Sequence, residues 1–359
     1  MYKQTHGNEN LFTAIRDSCN YYYYSLALGK NPNNNQPTGV KLEVEDLVKT
    51  ATELGLGERT GIEINIPREN KGVVPDPNTK KSLTKYLMKT KLEAEIEKYV
   101  PSNKNKDDYN FNEIVDKIVS WTDEQDIPSR TEVINRLKEM NLEAEVPVSN
   151  NKASLADIIK YDYLNQAYWS NADSLNTVIG QGQNSYTPIQ MARLMAIFAN
   201  GGKKVKTSVI DKILTYDNKE ITFENNPETE KTSFNPVNLQ YVLDGMNMAS
   251  KTSENGNIFK ELPIDIGNKT GTAQRSGSNP VTGELYDNYA WTVAFAPYRN
   301  PEIAIATVIF QGGAGPYCGP IVRDIVGQYI ENKEKNNETL IKDKEKRTTN
   351  ENNSGLIGD

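Results

Sequence analysis

Residues 269–273 place a lysine, a glycine and two hydroxyl side chains inside a segment that otherwise has the apolar character of a strand. These residue types are poor choices for packing a core, but they suit one wall of a binding cleft. Lys269 would supply positive charge, and the hydroxyls of Thr270 and Thr272 can bind a carboxylate. Gly271 omits a side chain where a ligand backbone could lie against the strand. As a bare tripeptide, Lys-Thr-Gly is a weak signal, because such strings occur by chance.

A second motif, Ser18-Cys19-Asn20, offers a hydroxyl for proton relay and an amide that both donates and accepts hydrogen bonds. Taken alone, Ser-x-Asn is better explained by a local backbone hydrogen bond, since it is common in loops and helix caps. Residues 11–29 have helical apolar spacing on both sides of this polar step. The spacing therefore predicts two helical segments with the motif between them.

Composition and residue counts argue against several other chemistries. A net charge of −7 gives no support for electrostatic binding of nucleic acid. His6 is the only histidine and no CxxC pair exists, which argues against a zinc site of the usual Cys/His type and against Ser-His-Asp catalysis unless His6 serves. For Cys19 and Cys318, two buried thiols are favoured over a disulfide. No apolar run has the length of a membrane-spanning helix, and no signal peptide is visible.

Periodicity predicts the elements that must position the two motifs. Further helices are predicted at 43–54, 186–202, 236–249 and 320–330, and strands at 62–66, 264–274, 289–297 and 303–311, with a hairpin within 203–223. Helices followed by antiparallel strands and a final helix indicate an α+β fold, an antiparallel sheet flanked by helices.

Changes of composition along the chain predict four parts. Residues 1–77 would carry Ser-x-Asn and residues 169–330 would carry Lys-Thr-Gly. Residues 78–168 are charged and helical in period, and Ser129 with Glu132 fits a capping box there, so this part is predicted to be a helical insert with a solvated charged face. Residues 331–359 contain almost no apolar side chains and are predicted to be a disordered tail.

The order and wide separation of the two motifs match the penicillin-recognising serine transferases, whose set is S-x-x-K, S-x-N and K-T-G. The chain resembles class B penicillin-binding proteins over residues 6–76 and 169–330. The segments that carry the resemblance are AIRDSCNYYYYSLALG, GERTGIEI, IGQGQNSYTPIQMARLMAIFANGG, NKTGTAQ, WTVAFAPYRNPEIAIATVIFQGG and GPIVRDIVGQYI. The resemblance implies a β-lactamase/transpeptidase-like sheet with an all-α part beside it.

The resemblance also implies catalytic roles. Ser18 would relay a proton during acylation and deacylation, and Asn20 would hydrogen-bond the backbone amide of the bound peptide. Lys269 would shape the electrostatics around Ser18.

The remaining residues of the Lys-Thr-Gly strand would bind substrate. Thr270 and Thr272 would hold the terminal carboxylate of the peptide, or of a β-lactam that mimics it, beside the open backbone of Gly271. The backbone N–H of Thr272 would form half of an oxyanion hole. Asn268 replaces the glycine usual before the lysine, which bears on local strand geometry and not on the role of the lysine.

The nucleophile of the family, the serine of S-x-x-K, has no match upstream of Ser18 in this chain. Two other matches, beginning at Ser82 and Ser149, follow Ser18 inside the charged insert and are rejected. The chain is therefore expected to lack the nucleophile and the first strands of the sheet, to be inactive alone, and to leave strand 303–311 as an open edge.

The leading hypothesis is thus part of a D,D-transpeptidase that cross-links peptidoglycan. Its partners would be stem peptides ending in D-Ala-D-Ala, β-lactam antibiotics and other cell-wall synthesis or divisome proteins. No metal or organic cofactor is implied, and the family works on the outer side of the cytoplasmic membrane. The alternatives are a non-catalytic protein of the same fold that binds peptidoglycan or a partner, and a related hydrolase.

Overall fold

The computed structural model of the 359-residue chain describes residues 6–64, 68–148 and 152–354. Two compact units can be distinguished, and each is described by itself. The first comprises Met1–Ser25, Ala51–Gly72 and Tyr186–Asp359, and the second comprises Leu26–Thr50 and Val73–Ser185. The four-part division expected from composition stays a prediction.

The helices and strands follow one another along the chain in the order helices, small strands, helices, sheet and final helix. The α-helices are α1 (Leu11–Arg16), α2 (Asn20–Leu28), α3 (Val44–Glu53), α4 (Pro77–Glu95), α5 (Phe111–Ser120), α6 (Arg130–Glu139), α7 (Leu155–Asp157), α8 (Asn165–Ala167), α9 (Asn171–Val178), α10 (Pro188–Ala199), α11 (Pro236–Ser250), α12 (Ser253–Phe259) and α13 (Gly319–Ser354). The strands are β1 (Lys203–Val205), β2 (Lys212–Leu214), β3 (Ile221–Glu224), β4 (Thr229–Lys231), β5 (Gly267–Ala273), β6 (Tyr289–Ala296) and β7 (Ile303–Ile309).

The main sheet of the first unit is antiparallel, with strand order β5-β6-β7. Lys269 in β5 lies opposite Val293 in β6, which lies opposite Ala306 in β7. Among the described strands, β5 pairs with β6 alone and therefore forms an edge. The predicted α+β fold is confirmed.

Strand alternation gives the sheet two apolar faces. On one face, Phe295 packs with α1, α10 and α11 through Ile15, Met195, Leu243 and Met246. On the other face, Ala294 packs with α12 and α13 in a cluster that includes Phe259, Val322 and Val326. Helix α11 also supports the strand that carries Lys-Thr-Gly, since Asn247 Nδ2 donates to the carbonyl of Ile266 at 2.7 Å.

The second unit is helical and has its own core. Its buried cluster runs through α4, α5, α6 and the π-helical segment Ile158–Leu164, with Met88, Ile118 and Leu137 fully buried. The capping box predicted at Ser129 and Glu132 is present at the start of α6. Val73 and Ser185, the two ends of the longer segment of this unit, form a β-bridge and so lie side by side.

Three sequence expectations differ from the structure in detail. The hairpin predicted within 203–223 forms between β2 and β3, while β1 pairs with β4. No strand is found at 62–64, and the rest of that predicted strand lies outside the described residues. Helix α13 continues to Ser354, past Glu331, where the sequence predicts the start of a disordered tail, and Lys335 and Glu331 form an ion pair one turn apart on it.

Cys19 and Cys318 are both buried free thiols, as favoured from the sequence. Within the described residues, no helix is both long enough and apolar enough to cross a bilayer.

Candidate active site

Ser18 and Lys269, which are far apart in the sequence, come into direct contact in the first unit. Lys269 Nζ donates to Ser18 Oγ at 2.8 Å and to the carbonyl of Thr270 at 2.9 Å. The lysine is held by β5, and the serine lies in the short turn between α1 and α2. The structure therefore joins the two motifs that sequence reasoning singled out.

The turn at Ser18 is fixed by the way α1 ends. The N–H of Cys19 donates to the carbonyl of Ala14 at 3.0 Å, and the N–H of Ser18 donates to that of Ile15 at 3.4 Å, the double hydrogen bond of a Schellman motif. This motif needs a left-handed residue, usually glycine, and here Ser18 takes it with φ of 53°. Because its neighbour Cys19 is buried, the turn is anchored while the Ser18 hydroxyl stays exposed.

Burial lowers the pKa of Lys269 from its ordinary value to about 8. The side chain as a whole is half-buried, and its amine donates to Ser18 Oγ and to the carbonyl of Thr270. At neutral pH the amine is still protonated, so it presents a poorly solvated positive charge to Ser18. Such a charge attracts anions more strongly than one in bulk water.

Thr270 and Thr272 alternate with Lys269 along β5 and so belong to the opposite face of the strand. The loop after β7 lies against this face. The N–H of Gly315 donates to Thr272 Oγ1 at 3.0 Å, and a Cβ at Gly315 would lie 2.6 Å from the carbonyl oxygen of Gly271. The loop thus holds the strand closely from behind, and the carboxylate-binding role of both threonines stays a prediction.

The roles predicted for Gly271 and Asn20 stay predictions, because no contact among the described residues tests them. A Cβ at Gly271 would meet Trp291 Cβ at 3.5 Å, an ordinary packing distance, so packing does not demand glycine there. Asn20 is exposed and begins α2, two residues after Ser18.

Asn268 is the buried polar residue of the strand. It is 0% exposed, and neither its side-chain oxygen nor its nitrogen has a hydrogen-bond partner among the described residues. Alternation places it on the face that packs against α12 and α13, away from the lysine. Sequence reasoning noted the unusual residue but gave no reason to expect an unpaired amide.

Sequence reasoning missed Arg275, which lies two residues beyond the end of β5. Its guanidinium Cζ lies 3.7 Å from the ring centroid of Tyr286 and 5.7 Å from that of Tyr289. The tyrosines follow in sequence on the far side of a loop, so no local spacing pattern reveals the stack. A cation is thereby fixed at the end of the strand that carries Lys-Thr-Gly.

His6, Glu9 and Cys19 bring one imidazole, one carboxylate and one thiol within 4.8 Å of one another. Both carboxylate oxygens of Glu9 are buried and make no hydrogen bond within the described part of the chain, although His6 Nδ1 lies 3.6 Å from one of them. Thiolate, imidazole and carboxylate are the usual zinc ligands. This mixed set differs from the usual Cys/His sites that the residue counts argue against.

The two rejected S-x-x-K matches can be compared with the geometry that a nucleophile needs. Ser82 is exposed on α4, and Lys85, which would have to activate it, is ion-paired with Asp123 at 2.5 Å. The amine of Lys85 is thus bound to the Asp123 carboxylate. Ser149 lies outside the described residues.

The chain has an antiparallel sheet with the Lys-Thr-Gly strand at its edge, and this strand faces a Ser-x-Asn turn between two helices. This combination defines the penicillin-recognising class of serine transferases. Residues 1–91 and 151–327 match the family described as "Penicillin binding protein transpeptidase domain". The chain belongs to this family, and its relatives support the class B assignment made from the resemblance.

Curated relatives match the chain over part of its length. The peptidoglycan D,D-transpeptidase MrdA of Escherichia coli is 31% identical over 168 residues, 44% of this chain and 26% of that protein. The peptidoglycan D,D-transpeptidase PbpA of Mycolicibacterium smegmatis is 31% identical over 152 residues, 40% of this chain and 29% of that protein. The chain thus spans little more than a quarter of the length of these relatives.

Solved structures share the fold. The penicillin-binding protein PBP2 of Helicobacter pylori, in a complex with MreC, has a TM-score of 0.53 and 23% identity, covering 92% of this chain and 41% of that chain. PBP2 of Pseudomonas aeruginosa has a TM-score of 0.50 and 18% identity, covering 89% of this chain and 47% of that chain.

Proposed function

We propose that this chain forms one wall of the active site of a peptidoglycan D,D-transpeptidase, and that the acylated serine belongs to an S-x-x-K motif in a longer chain. The observation that carries the proposal is the 2.8 Å hydrogen bond from Lys269 Nζ to Ser18 Oγ, which unites the second and third motifs of the family. Relatives named as D,D-transpeptidases support the reaction type.

In the proposed reaction, the nucleophilic serine attacks the carbonyl between the last two D-alanines of a stem peptide and releases the terminal D-alanine. The amine of a neighbouring stem then attacks the resulting ester and restores the free serine. Ser18 would relay the proton lost by the nucleophilic serine to the leaving amine in the first step, and would relay a proton from the attacking amine back to that serine in the second. Its hydrogen bond from Lys269 fixes the hydroxyl for both transfers.

The charged Lys269 would also attract the anionic carboxylate end of the peptide toward the strand. Thr270 and Thr272 would hold that carboxylate, and the N–H of Thr272 would stabilise the oxyanion of the tetrahedral intermediate. Asn20, beside Ser18, would hydrogen-bond the peptide amide that precedes the scissile bond.

We also propose that the full protein acts on the outer side of the cytoplasmic membrane and assembles with other cell-wall synthesis proteins. Support comes from the shared fold with an H. pylori protein whose structure was solved in a complex with MreC.

Labelling with a fluorescent penicillin tests the proposal. We expect no covalent label on the 359-residue chain, and a labelled band for a longer chain that includes an upstream S-x-x-K. Replacing the serine of that upstream motif with alanine should abolish the label, whereas Ser82→Ala in the same longer chain should leave it unchanged. A longer chain that folds but takes no label would favour a non-catalytic binding protein of the same fold.

A further inference from the structure

The guanidinium of Arg275 is held in place by aromatic stacking rather than by an acidic partner. Its Cζ lies 3.7 Å from the centroid of the Tyr286 ring, close contact for a cation over an aromatic face. Among the described residues, Arg275 forms no ion pair with a carboxylate. Stacking occupies the flat face of the guanidinium and leaves the N–H groups at its edge in a fixed plane, the arrangement that suits bidentate binding of a carboxylate.

The loop that carries Tyr286 is itself ordered against the end of the strand. The N–H of Tyr286 donates to the carbonyl of Gly277 at 3.2 Å, and Ser278 and Leu285 form a β-bridge. These contacts extend the β5–β6 hairpin beyond Ala273. Arg275 is therefore attached to an extension of the same strand as Thr272, and a ligand that binds the strand would find the cation already positioned.

Strand geometry places Arg275 at a defined distance along a bound peptide. A strand rises by about 3.3 Å per residue, so Arg275 lies about 10 Å beyond Thr272. Because β5 is an edge among the described strands, a peptide can pair with it as an added antiparallel strand. A peptide whose terminal carboxylate lies at Thr270 and Thr272 would then present the residues two or three positions before the scissile bond to Arg275.

We propose that Arg275 binds a second carboxylate of the donor stem, carried by a residue two or three positions before the scissile bond, and makes the enzyme prefer donors in which that carboxylate is free. This assignment rests on the proposed transpeptidase function. It makes Arg275 a specificity residue, while the acyl-transfer chemistry remains with the nucleophile, Ser18 and Lys269.

The test uses the full-length protein that contains this chain and synthetic donors ending in D-Ala-D-Ala. Each pair of donors consists of a peptide with a free carboxylate and the same peptide with a carboxamide in its place. In one pair the changed group lies on the second residue before the scissile bond, and in the other pair it lies on the third. For the pair at the contacted position, we expect kcat/KM to favour the carboxylate by about tenfold, mainly through KM, since a charge-assisted pair binds more strongly than a neutral one. The pair that shows the preference identifies which carboxylate is bound.

Variants of the same protein separate recognition from a structural effect. Arg275→Gln should reduce the preference to less than about twofold by slowing only the carboxylate donor, and Arg275→Lys should restore part of it, because a point charge keeps the attraction without the planar fork. Tyr286→Leu should weaken the preference, since the guanidinium loses its support. Arg299→Gln, an exposed arginine beyond the other end of β6, is the matched control and should leave the preference intact.

Acylation by benzylpenicillin distinguishes failure of the Arg275 assignment from failure of the transpeptidase proposal. Acylation of the parent protein by benzylpenicillin establishes that its acylating site is active. If the parent protein is acylated but prefers neither member of either donor pair, or if Arg275→Gln slows carboxylate and carboxamide donors equally, the assignment of Arg275 is wrong and the transpeptidase proposal stands. If benzylpenicillin does not acylate the parent protein at all, the transpeptidase proposal itself fails.

Discussion

In the helical unit formed by Leu26–Thr50 and Val73–Ser185, packing and polar pairing follow the general rules closely. Met88, Ile118 and Leu137 lie fully buried in one continuous apolar cluster, and the buried Lys80 is ion-paired with Asp173 at 2.6 Å. Of the described residues of this unit, only Gln183 has a buried side-chain atom without a hydrogen bond.

The unit that carries the motifs breaks the same rules at several places. Ser18 occupies a left-handed turn that glycine normally fills, the charged Lys269 is poorly solvated, and Asn268 and Glu9 keep buried polar atoms without hydrogen bonds. Such departures concentrate where a protein needs reactive or ligand-ready groups. The helical unit thus follows the packing rules, the motif-bearing unit carries the departures, and variants of each unit can test this difference.

Lys269→Gln should cause the largest change. The substitution removes the charge and the donor beside Ser18, and we expect acylation of the full-length protein by benzylpenicillin to slow by about 100- to 1,000-fold, the range for loss of one electrostatic or proton-transfer group. Lys269→Arg keeps the charge and should retain more activity than the glutamine variant. Thermal unfolding measured in parallel should show no loss of stability, because the substitution removes a charge whose burial is unfavourable. A rate equal to that of the parent protein would remove Lys269 from the site.

Acylation should also fall as pH rises through about 8, because the lowered pKa of Lys269 means that the amine loses its charge there. Lys269→Arg should shift this alkaline limb to higher pH. The effect on folding has the opposite sign. The cost of burying the charged amine is fully present below the folded pKa of about 8 and is relieved as pH rises toward the ordinary value of 10.5. A pH–rate profile that is flat between 7 and about 9.5, roughly 1.5 units above that pKa, would contradict this assignment.

Leu137→Ala should destabilise the helical unit without altering the site. Removing a fully buried leucine side chain costs about 3 kcal/mol in free energy of unfolding, measured by urea denaturation. Leu87→Ala, at a leucine 49% exposed on α4, is the matched control and should cost well under about 1 kcal/mol. The acylation rate of the folded fraction should be unchanged in both. A loss of acylation that exceeds the loss of folded protein would show that the units are coupled.

Zinc should stabilise the motif-bearing unit, because it would pair the buried Glu9 carboxylate with a cation. At a concentration about 100 times its dissociation constant, a bound ion adds about 2.7 kcal/mol to the free energy of unfolding. Titration with Co²⁺ should give a thiolate-to-cobalt absorption band that is lost in Cys19→Ser. Cys318→Ser, which changes the other buried cysteine, should keep the band. Absence of both the band and the stabilisation would show that the three side chains bind no metal.

Asn268→Ala should have the smallest effect and should increase stability. Replacing a buried amide that lacks partners removes its desolvation cost, and we expect a gain of about 1 kcal/mol in the free energy of unfolding. Asn268→Asp places an ionisable group at the same position and should destabilise the protein instead. A loss of stability in the alanine variant would mean that the amide is satisfied in solution.

Much of the fold was predictable from residues alone, since apolar periodicity is local. The strands at 264–274, 289–297 and 303–311 and the helix at 236–249 were located to within a few residues. The pairing of β1 with β4 was not predictable, because the register between distant strands depends on contacts that no local pattern contains. The extension of α13 past Glu331 was not predicted, because apolar periodicity does not mark this part of the helix.

For the site, the candidate residues are visible in the sequence. Ser18, Asn20 and Lys269 stand out by their types and order. The tertiary structure alone shows that Lys269 donates to Ser18, that Arg275 rests on Tyr286, and that Glu9 meets Cys19 and His6. The physical reason is that burial, stacking and hydrogen-bond geometry arise where distant segments pack together, whereas spacing along the chain records only what neighbouring residues do.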